Sequence, residues 1–209
     1  MNQHIETLQM FSIPLGVTKM PSEICNQMKS YKGMIQSQMA KNKKELNFDI
    51  LKTLPDVKKS ITYVFSLWIN NVMNTPDQKW KMTTNWITEN PYGEPMVRHR
   101  HFNCAYSGVL YFEKIDMNQG KLVFENPIPQ LDFFTGYEHQ SATIFNKQYC
   151  EVFPKEQMML FFPANLNHYY DSFKIMKKYK IRKSFACNFI PIGKFGVGDS
   201  TFDTDNWSE

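Results

Sequence analysis

The stretch that decides the fold is Val97-Arg-His-Arg-His-Phe-Asn-Cys-Ala-Tyr-Ser-Gly-Val-Leu-Tyr-Phe-Glu113, in which apolar and aromatic residues form short runs. From Trp80 onward such runs recur at intervals of roughly ten residues, with turn-forming residues between them. Many short, evenly spaced strands are typical of a β-sandwich or barrel, a group that includes the jelly rolls. The candidate strands are Lys81–Ile87, Val97–Phe102, Gly108–Glu113, Lys121–Phe124, Gln148–Phe153, Met158–Phe162, Asn167–Asp171 and Arg182–Ile190.

The residues before Trp80 have a helical pattern instead. A helix is predicted over Ser22–Tyr31, with Ser22 as its N-cap. A longer one is predicted over Pro55–Met73, because its apolar residues recur at helical spacing and form one apolar face. Helices followed by strands indicate an α+β protein with a mainly-β core. We expect a single domain, with a helical part at 1–79 that packs on a β core at 80–190, and a tail at 191–209.

Composition and charge exclude several classes of protein. The chain has 209 residues, of which 42% are hydrophobic and 15% aromatic, so it is globular. The net charge of +4 is scattered along the chain, which makes nucleic acid an improbable partner. Four cysteines without a Cys-x-x-Cys pair are expected to be reduced. Without a signal peptide or an apolar run of about 20 residues, we predict a cytoplasmic protein that does not contact membranes.

Three of the five histidines occur where metal ligands are expected. His99 and His101 are two residues apart on a predicted strand, so their side chains point to the same side. His168 follows a second strand and a short turn. Three protein ligands would leave coordination positions open, as in a catalytic site. A His-x-His pair also arises by chance, and a single buried histidine is usually only hydrogen-bonded, so this spacing alone does not decide the matter.

An ordered set of motifs strengthens the metal interpretation, because together they resemble the 2-oxoglutarate/Fe(II)-dependent oxygenase superfamily. The resemblance covers residues 80–190 and is closest to the small, prolyl-hydroxylase-like oxygenases of bacteria and phages. It implies a double-stranded β-helix (a jelly-roll or cupin-like fold) preceded by N-terminal helices. The motifs are Gly93-x5-His99-Arg-His101, Ser107-Gly-Val-Leu-Tyr-Phe112, Gly120-Lys-Leu-Val-Phe-Glu-Asn-Pro127, Leu160-Phe-Phe-Pro163, His168 and Arg182-Lys-Ser-Phe-Ala-Cys-Asn-Phe189.

The resemblance also implies roles for individual residues. His99, His101 and His168 would bind Fe(II), and Arg182 with Ser184 and Tyr111 would hold the far carboxylate of the cosubstrate 2-oxoglutarate. A guanidinium suits that role because its planar fork matches a carboxylate. Dioxygen would be the second cosubstrate. The enzyme would be a dioxygenase that hydroxylates a prime substrate, either a peptidyl proline or a small molecule.

This sequence departs from the family at His101, where relatives carry Asp or Glu. An imidazole there leaves the metal with a higher positive charge than a carboxylate would. Three outcomes remain open: a working three-histidine iron centre, a His101 that turns away from the metal, or a protein that no longer uses 2-oxoglutarate. We favour the first.

Two other functions are compatible with the same residues. The spacing also resembles the cupins, some of which are three-histidine dioxygenases that do not use 2-oxoglutarate; the Arg182–Ser184 pair favours 2-oxoglutarate. A non-catalytic jelly-roll interaction protein or viral protein is the other. Asn103, Trp86 and Asn188 are candidates for the substrate pocket, although a tryptophan in the core and asparagines that cap turns are equally ordinary explanations.

Overall fold

A computed structural model describes residues 12–32, 34–35, 47–90, 96–115, 120–128, 143–144, 147–171 and 182–207. In these residues two α-helices, α1 (Ser22–Met28) and α2 (Pro55–Met73), accompany eleven β-strands and three short 3-10 helices at 50–53, 198–200 and 204–207. The strands are β1 (Gly16–Lys19), β2 (Met34–Ile35), β3 (Lys79–Asn90), β4 (Tyr106–Tyr111), β5 (Lys121–Glu125), β6 (Tyr149–Val152), β7 (Met158–Pro163), β8 (His168–Asp171), β9 (Arg182–Ile192), β10 (Lys194–Phe195) and β11 (Phe202–Asp203).

The strands form two main sheets, and the predicted mainly-β architecture is confirmed. The larger sheet has the order β1-β7-β4-β9-β3-β2, and its pairs are antiparallel except for the short edge pair β2–β3. The smaller sheet has the order β6-β5-β8 and is antiparallel throughout. Strands β10 and β11 form a separate hairpin-like pair near the C-terminal end.

Helix α2 covers the outer face of the larger sheet. Its buried residues Val57, Ile61, Phe65 and Ile69 recur at helical spacing and belong to one core cluster with residues of β3, β4, β7 and β9. The ring of Phe65 stacks on that of Phe189 in β9, with centroids 4.0 Å apart. Pro55 begins the helix, and Asn74 ends it in a left-handed conformation at φ 53°.

The inner face of the larger sheet packs against the smaller sheet. This second cluster combines β4 and β7 of the larger sheet with β5 and β8 of the smaller one, and the rings of Phe124 and Phe162 meet edge to face at 4.9 Å. The larger sheet is therefore a shared wall, with a helix layer on one side and a second sheet on the other.

A β-bulge in β3 determines which of its residues face inward. Met82 lies opposite Phe189, whereas Asn85 lies opposite Cys187, so three steps along β3 match two along β9. After the bulge, Asn85 points to the outer side, where its amide bonds Asp49 and the backbone of Leu51. The alternate residues Trp86, Thr88 and Asn90 consequently face the inner side.

Two sequence predictions were wrong in local detail. Helix α1 ends at Met28 rather than Tyr31, and Pro21, not Ser22, occupies its N-cap. Most predicted strands shift by one or two residues, and β3 extends to Asn90, beyond the predicted end at Ile87.

The predicted strand Val97–Phe102 does not form a regular ladder. The backbone N–H of Met96 donates to Tyr170 and that of His99 to His168, so three steps along this segment match two along β8. His99 and His168 exchange both backbone hydrogen bonds, at 3.0 and 2.9 Å, and His101 then donates to Ala164 in the turn before β8. The segment lies beside β8, but the irregularity and the turn interrupt the ladder.

None of the helices in the described part of the chain is both long and apolar enough to cross a membrane.

Candidate active site

Three histidines converge at the edge of the smaller sheet. The backbone bridge between His99 and His168 brings the segment 96–101 against the start of β8. The candidate ligand atoms of His99, His101 and His168 all lie within 4.8 Å of one another. The ring centroids are 4.4 Å apart for His99 and His168, and 5.2 Å apart for His101 and His168. One ion can therefore be reached by all three imidazoles.

Backbone carbonyls orient two of these rings. Nδ1 of His99 is 2.8 Å from the carbonyl oxygen of Val97, and Nδ1 of His168 is 2.9 Å from that of Leu166. A carbonyl can only accept a hydrogen bond, so each Nδ1 carries the proton and each Nε2 keeps its lone pair. This is the arrangement in which Nε2 of a histidine binds a metal.

His101 is oriented by a side-chain network instead. Its Nδ1 is 2.7 Å from Oδ1 of Asn188 and 2.8 Å from the hydroxyl of Ser107. The Ser107 hydroxyl also donates to Oδ1 of Asn188 at 2.8 Å, while Nδ2 of Asn188 donates to Thr84 at 2.9 Å. Because the amide nitrogen of Asn188 is directed at Thr84, its oxygen faces His101 and accepts the proton of Nδ1.

Burial favours the neutral form of His101 and His168. Burial, and then the proximity of His99, lowers the pKa of His168 to about 3. Burial is also the largest cause of the lowered pKa of His101, which the hydrogen bond to Asn188 partly offsets. Neutral imidazole is the form that binds metal, so burial favours the ligand form of His101 and His168.

The donor set fits a divalent transition metal. Imidazole is a suitable ligand for iron, copper, nickel and zinc, and three ligands leave open positions for other molecules. Within the described residues the converging group holds histidines only, with neither Asp nor Glu. His101 therefore takes part in the cluster and does not turn away from it.

A second feature of the inner face is a buried cation. Arg182 is 7% exposed, and its Cζ lies 3.1 Å from the centroid of the Tyr170 ring. Its Nε has no hydrogen-bond partner, and among the described residues no carboxylate forms an ion pair with it. A buried charge without a counterion is costly, so this arrangement calls for an anion.

Tyr111 and Ser184 lie on the same inner wall. Tyr111 is fully enclosed and interacts electrostatically with Arg182; burial raises its pKa, so its phenol stays protonated. The Ser184 hydroxyl is 2.9 Å from that of Thr88, its partner across β3 and β9. Arg182 and Ser184 are two residues apart on β9 and therefore share one face.

The three candidates for a substrate pocket lie in different places. Trp86 is half-buried and its ring lies 5.9 Å from that of His101, beside the metal cluster. Asn188 contacts His101 directly, and so it serves the histidine rather than an open pocket. Asn103 is exposed in a left-handed conformation at φ 59°, which is the turn role weighed for it from the sequence.

The sequence analysis assigned no role to four further polar residues of this wall: Thr84, Thr88, Asn90 and Ser107. Alternation along β3 would have identified Thr88 and Asn90 as inward-facing companions of Trp86, had the strand been extended to its true end. The role of Ser107 depends on its position opposite Asn188 in the β4–β9 register, which no local pattern reveals.

Comparison with known proteins identifies the family that this site resembles. The family model described as "Putative 2OG-Fe(II) oxygenase" matches residues 84–188, which is half of the chain. The matched range contains the three histidines, Arg182 and Ser184. No curated protein matches the sequence.

Solved structures resemble the chain at low identity. A prolyl-4-hydroxylase from Pseudomonas putida aligns over 86% of this chain and 89% of its own, with a TM-score of 0.52 and 12% identity, which shows a shared fold. HygX from Streptomyces hygroscopicus with nickel and 2-oxoglutarate bound aligns over 84% and 82%, with a TM-score of 0.46 and 10% identity. A 2OG-Fe(II) oxygenase family oxidoreductase from Burkholderia pseudomallei aligns over 60% of this chain at a TM-score of 0.44 and 8% identity, and this chain spans about half (51%) of its length.

Proposed function

We propose that His99, His101 and His168 bind iron and that Arg182 holds the far carboxylate of 2-oxoglutarate. The proposal follows from the family, because the chain belongs to the 2OG-Fe(II) oxygenases. Members of this family are iron- and 2-oxoglutarate-dependent oxygenases, and this chain is one of them. The cosubstrates are 2-oxoglutarate and dioxygen, and the reaction is the hydroxylation of a prime substrate.

The observation that carries the proposal is that a metal-ligand cluster and a buried cation lie together between the two sheets. His168 and Tyr170 share one face of β8, and Arg182 of β9 lies against the Tyr170 ring. Three imidazoles converge as ligands for one metal ion, and a buried guanidinium that requires an anion has no carboxylate partner among the described residues. 2-Oxoglutarate can bind at both places, because its keto-acid end chelates a metal and its far carboxylate pairs with a guanidinium.

Each side chain has a defined task in this arrangement. The carbonyls of Val97 and Leu166 and the amide of Asn188 hold the three rings with Nε2 free. Arg182 binds and orients the far carboxylate, assisted by the protonated phenol of Tyr111 and the hydroxyl of Ser184. Bound iron with 2-oxoglutarate and dioxygen supplies the oxidising chemistry, and the protein supplies position. Phe162 and Phe124 line the buried side of His168 and keep water from it.

The proposal includes the double-stranded β-helix as the specific fold. It is supported by two sheets that pack face to face, and by the segment 96–101 beside β8, which extends the smaller sheet as an irregular fourth strand. The histidine cluster lies between the two sheets, and the interior of such a barrel is where ligands bind.

The prime substrate is either a peptidyl proline, as the name of the Pseudomonas putida neighbour indicates for that protein, or a small molecule. The histidine segment carries exposed apolar side chains on either side, Val97 at 80% and Phe102 at 70% exposed. A substrate with an apolar portion suits this rim.

The test is the binding of 2-oxoglutarate to anaerobic, Fe(II)-loaded protein, followed by its metal-to-ligand charge-transfer absorption. We expect a band in the wild type that is lost in His168→Ala and that needs about 10-fold or more 2-oxoglutarate in Arg182→Leu. Lys183→Met is the matched control, because it removes a neighbouring positive charge that points to the opposite face and pairs with Glu89.

Two results would contradict the proposal in different ways. No band despite confirmed iron occupancy would indicate a three-histidine, cupin-type dioxygenase without 2-oxoglutarate, or a protein whose metal is not catalytic. If Arg182→Leu binds 2-oxoglutarate as tightly as the wild type does, the protein still uses this cosubstrate, but another residue holds its far carboxylate.

A further inference from the structure

A buried polar quartet lies on the inner face where β3 meets β9. Thr88 and Asn90 on β3 lie opposite Ser184 and Arg182 on β9, and all four residues are 7% exposed. Directly opposite residues in an antiparallel pair project to the same face. The contact between the Thr88 and Ser184 hydroxyls, at 2.9 Å, shows this for one pair. Asn90 and Arg182, two residues away on the same strands, share that face by alternation.

The two halves of the quartet differ in hydrogen bonding. Thr88 and Ser184 satisfy each other, whereas Nδ2 of Asn90 and Nε of Arg182 are buried and have no partner in the described part of the chain. Buried donors are nearly always satisfied in folded proteins, so two adjacent exceptions need an explanation.

Both unpaired groups are N–H donors, so a ligand that binds them must supply hydrogen-bond acceptors. Glu89 and Lys183, the opposed pair one step back along the same strands, form an ion pair at 3.3 Å on the other face. That carboxylate is therefore not available to the quartet. A ligand that accepts from an amide and a guanidinium at once is an anion with at least two oxygens, and a carboxylate has this geometry.

We infer that Asn90 is a further cosubstrate-binding residue, whose amide N–H donates to the far carboxylate of 2-oxoglutarate beside Arg182. The inference rests on the proposed function and deepens it. Asn90 thereby contributes to the selection of a dicarboxylic keto acid over a monocarboxylic one, since its donor has no acceptor when the far carboxylate is missing.

The test compares two keto acids on anaerobic, metal-loaded protein. 2-Oxoglutarate and 2-oxopentanoate have the same chain length and the same metal-binding end, and only the first has a far carboxylate. In Asn90→Leu, which keeps the size but removes the donor, we expect the Kd of 2-oxoglutarate to rise about 10-fold or more. The Kd of 2-oxopentanoate should stay within about 3-fold of the wild type. Glu89→Gln, on the same strand but the opposite face, should leave both values unchanged.

Asn90→Asp keeps the test decisive if the leucine variant is poorly folded. Its carboxylate would pair with Arg182 within the fold and repel the ligand, so 2-oxoglutarate binding should weaken more than in Asn90→Leu while 2-oxopentanoate binding is retained. Thermal melting without ligand establishes that each variant is folded.

Other outcomes separate this inference from the proposed function. Unchanged affinity for 2-oxoglutarate in both variants, or an equal loss for both keto acids, overturns the role of Asn90 while the wild type still binds the cosubstrate. A folded, metal-loaded wild type that binds neither keto acid overturns the proposed function and this inference together.

Discussion

The two faces of strand β9 have opposite characters. On the outer face, Phe185, Cys187 and Phe189 are completely buried against the helix layer. On the inner face, Arg182, Ser184 and Asn188 alternate with them and carry polar groups directed at the candidate active site. Strand alternation thus lets eleven consecutive residues serve two environments.

The difference shows where stability and function are separated in this molecule. Burial of apolar area provides most of the favourable free energy of folding, and the outer face is made of such area. Buried polar groups contribute little and cost free energy when unpaired, so the inner face holds Asn90 and Arg182 at the expense of stability. Substitutions on the two faces should therefore have separable effects.

The largest effect is expected on the outer face. Phe65→Ala removes the ring that stacks on Phe189 at 4.0 Å, and it should lower the free energy of unfolding by about 3–5 kcal/mol. Urea titration measures that loss. The folded fraction should bind 2-oxoglutarate as the wild type does, because the ring lies on the far side of the sheet. Altered ligand affinity with little loss of stability would show that the two faces are not independent.

An intermediate effect is expected on the inner face. Asn188→Leu removes the acceptor that orients His101, and it should weaken Co(II) or Fe(II) binding by about 10–100-fold, as loss of a ligand-orienting partner does elsewhere. Competition with a chelator measures the affinity, and the visible spectrum of the Co(II) form reports the geometry. Asn188→Asp restores an acceptor and should bind metal at least as well as the wild type. If both variants weaken binding equally, Asn188 acts only through packing.

The smallest effect is expected away from the two faces of β9, at the ion pair between Asp49 and Lys58. This pair connects the segment before α2 to the helix. The hydrogen bond from Asn85, and then that from Lys58, holds the pKa of Asp49 below its usual 3.8. A carboxyl group whose pKa is lowered on folding stabilises the fold at every pH above its usual pKa. This contribution is lost as the pH falls through the folded-state pKa. Since the Asp49 side chain is 44% exposed, we expect Asp49→Asn to cost about 0.5 kcal/mol or less at neutral pH.

Acid titration of stability distinguishes that contribution from general charge effects. Asp49→Asn should unfold with a shallower dependence on pH below 3.8 than the wild type, whereas the exposed control Asp77→Asn should not. Equal slopes for all three proteins would mean that the Asp49 contacts do not matter to stability.

Local patterns in the sequence predicted the elements that depend on local physics. The apolar spacing of Val57, Ile61, Phe65 and Ile69 fixed the face of α2, and Pro55 and Asn74 fixed its ends. The central strands were found for the same reason, because each alternates or is continuously apolar over its own length.

What could not be predicted depends on register between distant strands. The extra residue in β3 that turns Asn85 outward has no marker in the sequence, and neither does the position of Ser107 opposite Asn188. The three histidines were identified as a set, but the irregular backbone at His99 was not, because it arises from pairing with His168 across a long separation. The roles of Arg182, Ser184 and Tyr111 stay predictions that the binding experiments test.

The bulge in β3 determines where the strand can tolerate a change in the number of its residues. With one residue fewer between Met82 and Asn85, the ladder would become regular, and Met82 and Asn85 would still share the outer face. Trp86, Thr88 and Asn90 would therefore keep facing inward, whereas one residue fewer between Asn85 and Asn90 would turn Asn90 outward. Among related chains, length differences of one residue should therefore occur at the bulge, while the number of residues from Asn85 to Asn90 should stay constant.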